Sequence, residues 1–485
     1  MKKYFFVYHI FYLFFLFSFL FIWYTRAYPL LVADADDWTY ISYIRQAIPK
    51  WGIWNPAKVL PETFMGIIGG FSAFVVAPLV NDYILSFTYS YAFVICIFIV
   101  LYVFLFDCFL IKKFGTTSLQ TIFISFVFFS SHFLIMKSGD INNKYLLKAI
   151  NLNCFMNYLI PFLVCVSLVF YLLTIIDDNS KNIFSFTNSN YNQIQKTILV
   201  SVGYLAIFSN MVDNILLISV IVSLYLFLFR KNFFCIKNFC ESHFFIYLLI
   251  LEVICLIFEA NGGRAKSLEF NFYKNFIETF DDFLLIIKSI NKTFIKSSLL
   301  LLIVALYLII SKKDYIYFKY IVIFTIAMFI CFFIQFGLMV RIGLHKISRC
   351  ENIAVLFIYY IVIFSISLCY IIKTYNKLII FLPLVSYILF VGIISGNGHS
   401  YERSYSVGSD FYHKLESNRD IVNQFVEADR KGLKIFDLYV PGSAAGYSWV
   451  GERYSNTLYN HHVISYPIKC NVIVSEQKNI QYNEM

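Results

Sequence analysis

Long apolar runs separated by short polar stretches dominate this sequence and restrict the folds open to it. Many runs have about 18 or more residues of low polarity, and a helix needs about 20 residues to cross the hydrocarbon core of a bilayer. Runs of this length inside that core are helical, because a helix satisfies its own backbone hydrogen bonds. Of the 485 residues, 60% are hydrophobic and only 14% are charged. These values exclude a soluble globular protein and predict an all-α polytopic membrane protein.

The runs and the positive-inside rule together predict about eleven transmembrane helices. Lys2 and Lys3 place the N-terminus in the cytoplasm, and later lysine pairs place their loops on the same side. An odd number of crossings then puts the C-terminus outside the cytoplasm. The predicted spans are residues 4–24, 83–106, 121–136, 153–176, 197–229 as a hairpin of two, 243–258, 297–310, 320–339, 353–372 and 378–394.

Two apolar runs do not fit a single straight crossing. Residues 64–80 contain glycines and a proline, and the next run already supplies the crossing that topology needs, so we interpret 64–80 as interfacial or re-entrant. Residues 197–229 would form a helix of roughly 50 Å, too long for a core about 30 Å thick. A carboxylate inside the core costs several kcal/mol. We therefore expect a tight hairpin that holds Asp213 and Asn214 at the outer surface.

The C-terminal tail, residues 396–485, has the polarity of a soluble domain. A helix that begins at Ser409 or Asp410 and stops at Gly432 is predicted by apolar residues at helical spacing. Strands are predicted over 434–440 and 470–474. We therefore predict a small α/β extracytoplasmic C-terminal domain, preceded by a transmembrane domain over residues 1–395.

The first outer loop, residues 26–62, carries the densest group of carboxylates beside a span. Asp34, Asp36 and Asp37 occupy three of four positions shortly after the first predicted helix. Repulsion between close carboxylates makes one of them a stronger base, and such a base can remove a proton from a hydroxyl. Apolar residues at helical spacing from Trp38 predict an interfacial helix over 38–48. A solvated turn or a helix cap is the alternative role for the three aspartates.

Several basic residues lie in predicted outer loops, where the positive-inside rule disfavours them. Arginine and lysine bind phosphate well, arginine through its bidentate guanidinium. We therefore predict that these residues contact a lipid phosphate, and snorkelling toward headgroups is the alternative. The residues are Arg264 and Lys266 beside a glycine pair, and Arg341, Lys346 and Arg349 before the tenth span.

Neither the cysteines nor the net charge predicts a metal site or a nucleic-acid partner. The eleven cysteines show no C-x-x-C or Cys/His spacing, so we interpret them as packing residues. The net charge of +10 comes from 39 basic and 29 acidic residues. The basic residues lie between the spans, where they set topology, and no basic helix or RNA-binding motif occurs in the sequence.

The Asp36-Asp37-Trp38 motif after the first span, the many spans and the C-terminal outer domain resemble the GT-C superfamily of integral-membrane glycosyltransferases. In length and layout the chain is similar to the serotype-converting O-antigen glucosyltransferases of enteric bacteria and their phages. The resemblance implies transfer of a sugar from a polyprenyl-phosphate donor to a hydroxyl of a glycan acceptor. It implies a reaction at the periplasmic face of the bacterial inner membrane, and the compact loops favour a bacterial membrane.

The resemblance also implies roles for individual residues. Asp36 is the expected general base, Asp37 is the next candidate, and Asp34 is expected to orient either one. The basic residues of the outer loops are expected to stabilise the departing phosphate, so no cofactor is expected. A divalent cation would be needed only for a pyrophosphate donor. Exposed candidates for contact with the acceptor in the tail are Tyr401, Arg403, Arg419 and the pair His461-His462.

Two other functions remain open at this point. An O-antigen polymerase or ligase would also have many spans and arginine-rich outer loops, and would depend on Arg341 and Arg349 rather than on Asp36. A flippase for lipid-linked oligosaccharides would also be all-helical with intramembrane charge. However, it would seldom carry an outer domain of this size and should show repeated halves, which the sequence does not.

Overall fold

The computed structural model describes residues 2–27, 29–32, 35–50, 52–135, 152–176, 192–228, 242–261, 271–342, 356–375, 409–441 and 451–475. Within these ranges the chain is mostly helical, with one parallel pair of strands near the C-terminus. Eight of the described helices are long and apolar enough to cross a membrane, and two shorter apolar helices accompany them. The prediction of a helical multi-pass membrane protein is therefore confirmed, while the count of eleven crossings stays a prediction.

The described helices of the apolar bundle differ widely in length and include three π-helical turns. In chain order they are α1 (Lys2–Ile22, then a π turn Trp23–Ala27), α2 (Ala35–Tyr40), α3 (Val59–Phe71, then a π turn Ser72–Val76), α4 (Ala77–Val80), α5 (Tyr83–Phe114), α6 (Ser118–Leu134), α7 (Leu152–Cys154, then a π turn Phe155–Leu159), α8 (Ile160–Ile175), α9 (Gln193–Ile207), α10 (Met211–Leu228), α11 (His243–Ala260), α12 (Phe272–Ser289), α13 (Lys292–Lys312), α14 (Tyr315–Ile342) and α15 (Phe357–Tyr375).

Hydrogen bonds between helix ends distinguish the two ends of the bundle. At one end, Lys113 Nζ donates to the carbonyl of Ile176 at 2.5 Å, and Lys373 Nζ donates to the carbonyl of Phe114. These bonds join the last residues of α5, α8 and α15, so the three helices run in the same direction. We call the opposite end, where α5 and α8 begin, the loop end.

The apolar segment from Val59 to Val80, formed by α3 and α4, has both of its ends at the loop end. Near its start, the Leu60 N–H donates to the carbonyl of Phe208 in the turn between α9 and α10. Farther along, Phe74 packs against His461, with ring centroids 6.0 Å apart. The segment is long enough to cross a membrane, but these contacts favour the interpretation of residues 64–80 as interfacial or re-entrant.

Helices α9 and α10 form the predicted hairpin, but its turn lies over residues 208–210. Asp213 and Asn214, expected at the outer surface, are fully buried. The reason is Asn210, whose Oδ1 accepts a hydrogen bond from the Val212 N–H at 3.0 Å. This side chain caps α10 and places Asp213 inside the first helical turn. The expected surface position of Asp213 and Asn214 was therefore wrong.

Residues 409–441 and 451–475, which we call the C-terminal unit, combine helices and strands as predicted. They form α16 (Ser409–Arg430), β1 (Ile435–Pro441), α17 (Gly451–Asn460) and β2 (Lys469–Ser475). The strands pair in parallel, with Ile435 opposite Lys469, so the chain crosses from one strand to the other through α17. Gly432 follows α16 at a φ of +69°, a left-handed conformation that glycine adopts readily.

Candidate functional site

In the described part of the first loop before α3, the chain forms one short helix, α2, which carries Asp36 and Asp37 in its first turn. Because α2 ends at Tyr40, the predicted helix over residues 38–48 was wrong. The segment that follows Tyr40 does not continue the helix, because its backbone lies directly against α3. A Cβ atom at Gly69 would lie only 1.8 Å from the carbonyl oxygen of Ile41. Contact between two backbones, rather than side-chain spacing, therefore shapes this part of the loop.

Asp36 and Asp37 lie in different surroundings. The Asp36 side chain is 53% exposed, and its Oδ1 lies 2.8 Å from Nη1 of Arg453. Asp37 is fully buried, and its Oδ1 accepts a hydrogen bond from the Asn153 N–H at 2.6 Å. Asp36 can therefore meet a substrate directly, whereas Asp37 fastens α2 to α7. Asp34 lies outside the described residues.

Helix α17 of the C-terminal unit packs along the first loop. Tyr454 stacks on Trp38, with ring centroids 3.9 Å apart and planes inclined by 28°. Thr457, on the same face of α17, donates from its Oγ1 to the carbonyl of Trp38. Residues three and four positions apart share one face of a helix, so these two contacts orient α17 and hold Arg453 beside Asp36.

Helix α16 makes a second attachment of the C-terminal unit to the bundle. Arg419 forms ion pairs with Asp82, which caps α5, and with Glu416. Asn418 Nδ2 donates to the carbonyl of Val32 at 2.7 Å. Arg419, predicted as a contact for the acceptor, is therefore engaged in holding the C-terminal unit on the bundle.

His461 lies at the centre of the contact between the C-terminal unit and the bundle. Its Nδ1 is 2.7 Å from the hydroxyl oxygen of Tyr83, and its Nε2 is 3.2 Å from the carbonyl oxygen of Ile41. Because a carbonyl can only accept, we assign the proton to Nε2 and let Nδ1 accept from Tyr83. His461 was expected to be exposed but is buried, and this burial lowers its pKa to about 4.

We expect attachment of the C-terminal unit to weaken as the pH falls from about 6.5 to about 4. His461 has a pKa of about 4 in the folded protein and about 6.5 in an unfolded chain. The unfolded state therefore binds more protons across this interval, and up to about 3 kcal/mol of stability is lost by pH 4. Thermal unfolding of the detergent-solubilised protein at several pH values measures this loss. The His461→Gln variant should show a flatter profile, and an equal pH dependence in both proteins would contradict the prediction.

A buried carboxylate, Glu62, lies at the end of the first loop, in the first turn of α3. Arg45 Nε donates to its Oε2 at 2.5 Å, and Lys58 Nζ lies 3.9 Å from its Oε1. Burial, followed by the charges of Glu62 and Asp36, raises the pKa of Tyr40 to about 12. Tyr40 therefore keeps its proton at neutral pH and remains a hydrogen-bond donor. The sequence did not indicate a role for Glu62, because its ion pair with Arg45 forms only when α3 packs against the segment that follows α2.

The structure describes few of the predicted phosphate and acceptor contacts. Arg341 lies exposed in the last turn of α14, and its role stays a prediction. Among the described residues, no group of three histidine, cysteine or acidic side chains could hold a metal ion. The predicted contacts that lie outside the described ranges are Arg264, Lys266, Lys346, Arg349, Tyr401 and Arg403.

Chemically, the site offers a half-exposed carboxylate, an arginine beside it and a protonated phenol nearby. Sequence reasoning missed Arg453, and no local signal marks it, because it lies 417 positions from Asp36. No protein-family model, curated protein or solved structure matches this chain.

Proposed function

We propose that this protein is a glycosyltransferase that moves a sugar, glucose by the resemblance, from a polyprenyl-phosphate donor to a hydroxyl of O-antigen or a related surface glycan. The proposal places the reaction at the periplasmic face of a bacterial inner membrane. The observation that supports it best is Asp36, a half-exposed carboxylate beside Arg453 at the loop end of an apolar bundle. A base and a cation side by side suit a reaction in which a hydroxyl loses a proton and a phosphate leaves.

In the proposed reaction, Asp36 removes the proton of the acceptor hydroxyl while that oxygen attacks the anomeric carbon of the donor sugar. The bond between the anomeric carbon and the phosphate oxygen breaks, and polyprenyl phosphate leaves with the electron pair. Arg453 stabilises the negative charge that develops on the phosphate. For this role its guanidinium, which lies 2.8 Å from Asp36 in the structure, turns toward the phosphate when the donor binds.

A polyprenyl donor also needs an apolar surface that leads from the membrane to the base. The segment formed by α3 and α4 has such a surface. Residues four positions apart share one face of a helix, and on this segment four successive residues at that spacing are apolar and exposed. A face of this kind suits a lipid chain whose phosphate reaches the first loop. The four residues are Ile67, Phe71, Val75 and Leu79.

The proposal is tested by glycan analysis of bacterial cells that carry the wild-type gene or an empty vector. The expected result is one added hexose on each repeat of the surface polysaccharide, with chain length unchanged. A change in chain length without decoration would favour a polymerase and overturn the proposal. Movement of lipid-linked oligosaccharide across the membrane without a new glycosidic bond would favour a flippase instead.

The Arg453→Gln variant is expected to lower transfer about 10-fold to 100-fold, because a charge-assisted hydrogen bond contributes about 1.5–3 kcal/mol. Arg453→Lys should keep part of the rate, since the charge remains. Initial rates in membranes with matched protein levels measure the effect. Arg430→Gln, at the exposed end of α16, is the matched control and should act like the wild type. An unchanged rate in Arg453→Gln would remove Arg453 from the mechanism.

A further inference from the structure

Helix α12, which lies between the candidate spans α11 and α13, turns a broad apolar face away from the rest of the described chain. Within residues 272–284, six apolar side chains are between 37% and 76% exposed. They follow one another at spacings of one, three or four positions, so they form one wide stripe along the helix. The residues are Phe272, Tyr273, Phe276, Ile277, Phe280 and Leu284.

The side of α12 that contacts α14 includes polar residues. Asn275 Nδ2 donates to the carbonyl of Val340 at 3.0 Å, and Asn275 and Thr279 are both buried. Farther along, the rings of Phe283 and Phe332 pack with their centroids 5.0 Å apart. A helix that faces water turns its apolar stripe toward the protein core. Helix α12 instead buries two polar side chains and exposes its apolar stripe, which indicates apolar surroundings on that side.

Helix α13, which follows α12, fixes the level of their junction in the membrane. The Asn291 N–H, at the start of α13, donates to the carbonyl of Ile135 at 3.0 Å. Ile135 follows α6, which returns from the far end of α5 toward the loop end. At the other end of α13, Lys312 Nζ lies 5.9 Å from the ring centroid of Tyr375. The 20 positions from Lys292 to Lys312 span about 30 Å, the thickness of the hydrocarbon core, so α12 meets α13 where this core ends at the loop end.

Three exposed lysines, Lys288, Lys292 and Lys296, lie around this junction. One is in the last turn of α12, and the other two are in the first turns of α13. Lipid phosphates lie just outside the hydrocarbon core, and lysine side chains at this level extend toward them. A basic cluster beside an amphipathic helix is typical of binding to anionic lipid. The acidic side chains of α12 lie more than one turn before these lysines, at Glu278, Asp281 and Asp282.

We infer that α12 is a membrane-interface helix whose apolar face is covered by lipid of the leaflet at the loop end, and that the three lysines bind the phosphates of anionic phospholipids. Lipid is the occupant because the apolar face of α12 continues that of α14, a candidate span. On α14, Phe329 and Phe333 are exposed beside Phe332, which contacts α12. A helix of this kind lies along the interface with its apolar face about 5–10 Å deep. The inference goes beyond the proposed function and does not depend on sugar transfer.

The position of α12 is tested by photolabelling the full-length protein, reconstituted in vesicles of phosphatidylglycerol and phosphatidylcholine, with a lipid-soluble diazirine. Proteolysis and mass spectrometry then locate the label. Phe276 and Phe280 should be labelled about as strongly as Phe333 of α14. Ile435 and Tyr439, which are also exposed but belong to the C-terminal unit, should be labelled at least about 10-fold less. Labelling of α12 at the level of Ile435 and Tyr439 would overturn the inference.

The role of the lysines is tested by thermal unfolding in detergent, with phosphatidylglycerol or phosphatidylcholine added at the same concentration. Phosphatidylglycerol should raise the Tm of the wild type by several degrees more than phosphatidylcholine does, because a lipid that binds the folded state stabilises it. A variant in which Lys288, Lys292 and Lys296 are all glutamine should lose most of this difference. The control variant replaces three exposed basic residues of the C-terminal unit with glutamine and should keep the difference. These residues are Arg430, Lys431 and Lys434.

Two results would overturn the binding of anionic lipid. One is a wild-type Tm that responds equally to the two lipids, and the other is an undiminished response to phosphatidylglycerol in the lysine variant. If the triple variant does not fold, Lys292→Gln alone replaces it and should lose part of the response.

Discussion

Replacing Asp36 with asparagine is expected to lower sugar transfer by about 10²-fold to 10⁴-fold, the usual contribution of a general base. Asparagine has nearly the same shape, and its Oδ1 can still accept the hydrogen bond from Arg453, which lies 2.8 Å from Asp36 in the structure. It cannot take up the proton of the acceptor hydroxyl. The variant should therefore fold as the wild type does while losing its chemistry. Initial transfer rates in membranes, with protein levels matched by blot, measure the effect.

Two other aspartates provide the comparison for Asp36→Asn. Asp420→Asn, an exposed change on α16, should leave the rate unchanged. Asp37→Asn alters a buried side chain that holds α2 on α7 through Asn153. We expect its transfer rate to fall only in proportion to the amount of folded protein. A wild-type rate in Asp36→Asn would show that Asp36 is not the base.

Replacing Gly69 with alanine is expected to destabilise the protein by about 3 kcal/mol or more, at the upper end for overpacked sites. The added Cβ would lie 1.8 Å from the Ile41 carbonyl oxygen and 2.7 Å from its carbonyl carbon. A backbone cannot rotate aside as a flexible side chain can, so the first loop must move off α3. Because Asp36 is only five positions before Ile41, the movement should also reduce transfer.

The adjacent Gly70 is the matched control for Gly69. A Cβ at Gly70 would meet nothing within 4 Å, and alanine favours a helix interior over glycine by roughly 0.5–1 kcal/mol. Gly70→Ala should therefore have a Tm equal to or slightly above that of the wild type, with normal transfer. Thermal unfolding and transfer rates of both variants test the prediction. Equal behaviour of the two would mean that the loop does not rest on α3.

Local patterns in the sequence were sufficient to predict the class of fold and the elements of the C-terminal unit. A long apolar run can satisfy its backbone inside a membrane only as a helix, so the class of fold follows from composition and run length. The C-terminal helix and both strands were also predictable, because hydrophobic spacing and the stop at Gly432 act over a few residues. The acidic motif pointed to the first loop for the same reason, since its three carboxylates lie within four positions.

Contacts between distant parts of the chain decided which side chains of the first loop are buried and where its helix ends. The sequence placed Asp36 ahead of Asp37 without resolving which of them faces outward, and only the packing of Asn153 and Arg453 buries one carboxylate and leaves the other half-exposed. Helix α2 ends where the backbone at Ile41 lies against Gly69 of α3. The spacing of side chains in the sequence does not reveal this contact. Burial and backbone contact depend on the tertiary structure, whereas hydrophobic periodicity can be read from a short stretch of sequence. The sequence therefore determined which loop carries the cluster of carboxylates, and the tertiary structure decided which of these carboxylates is exposed.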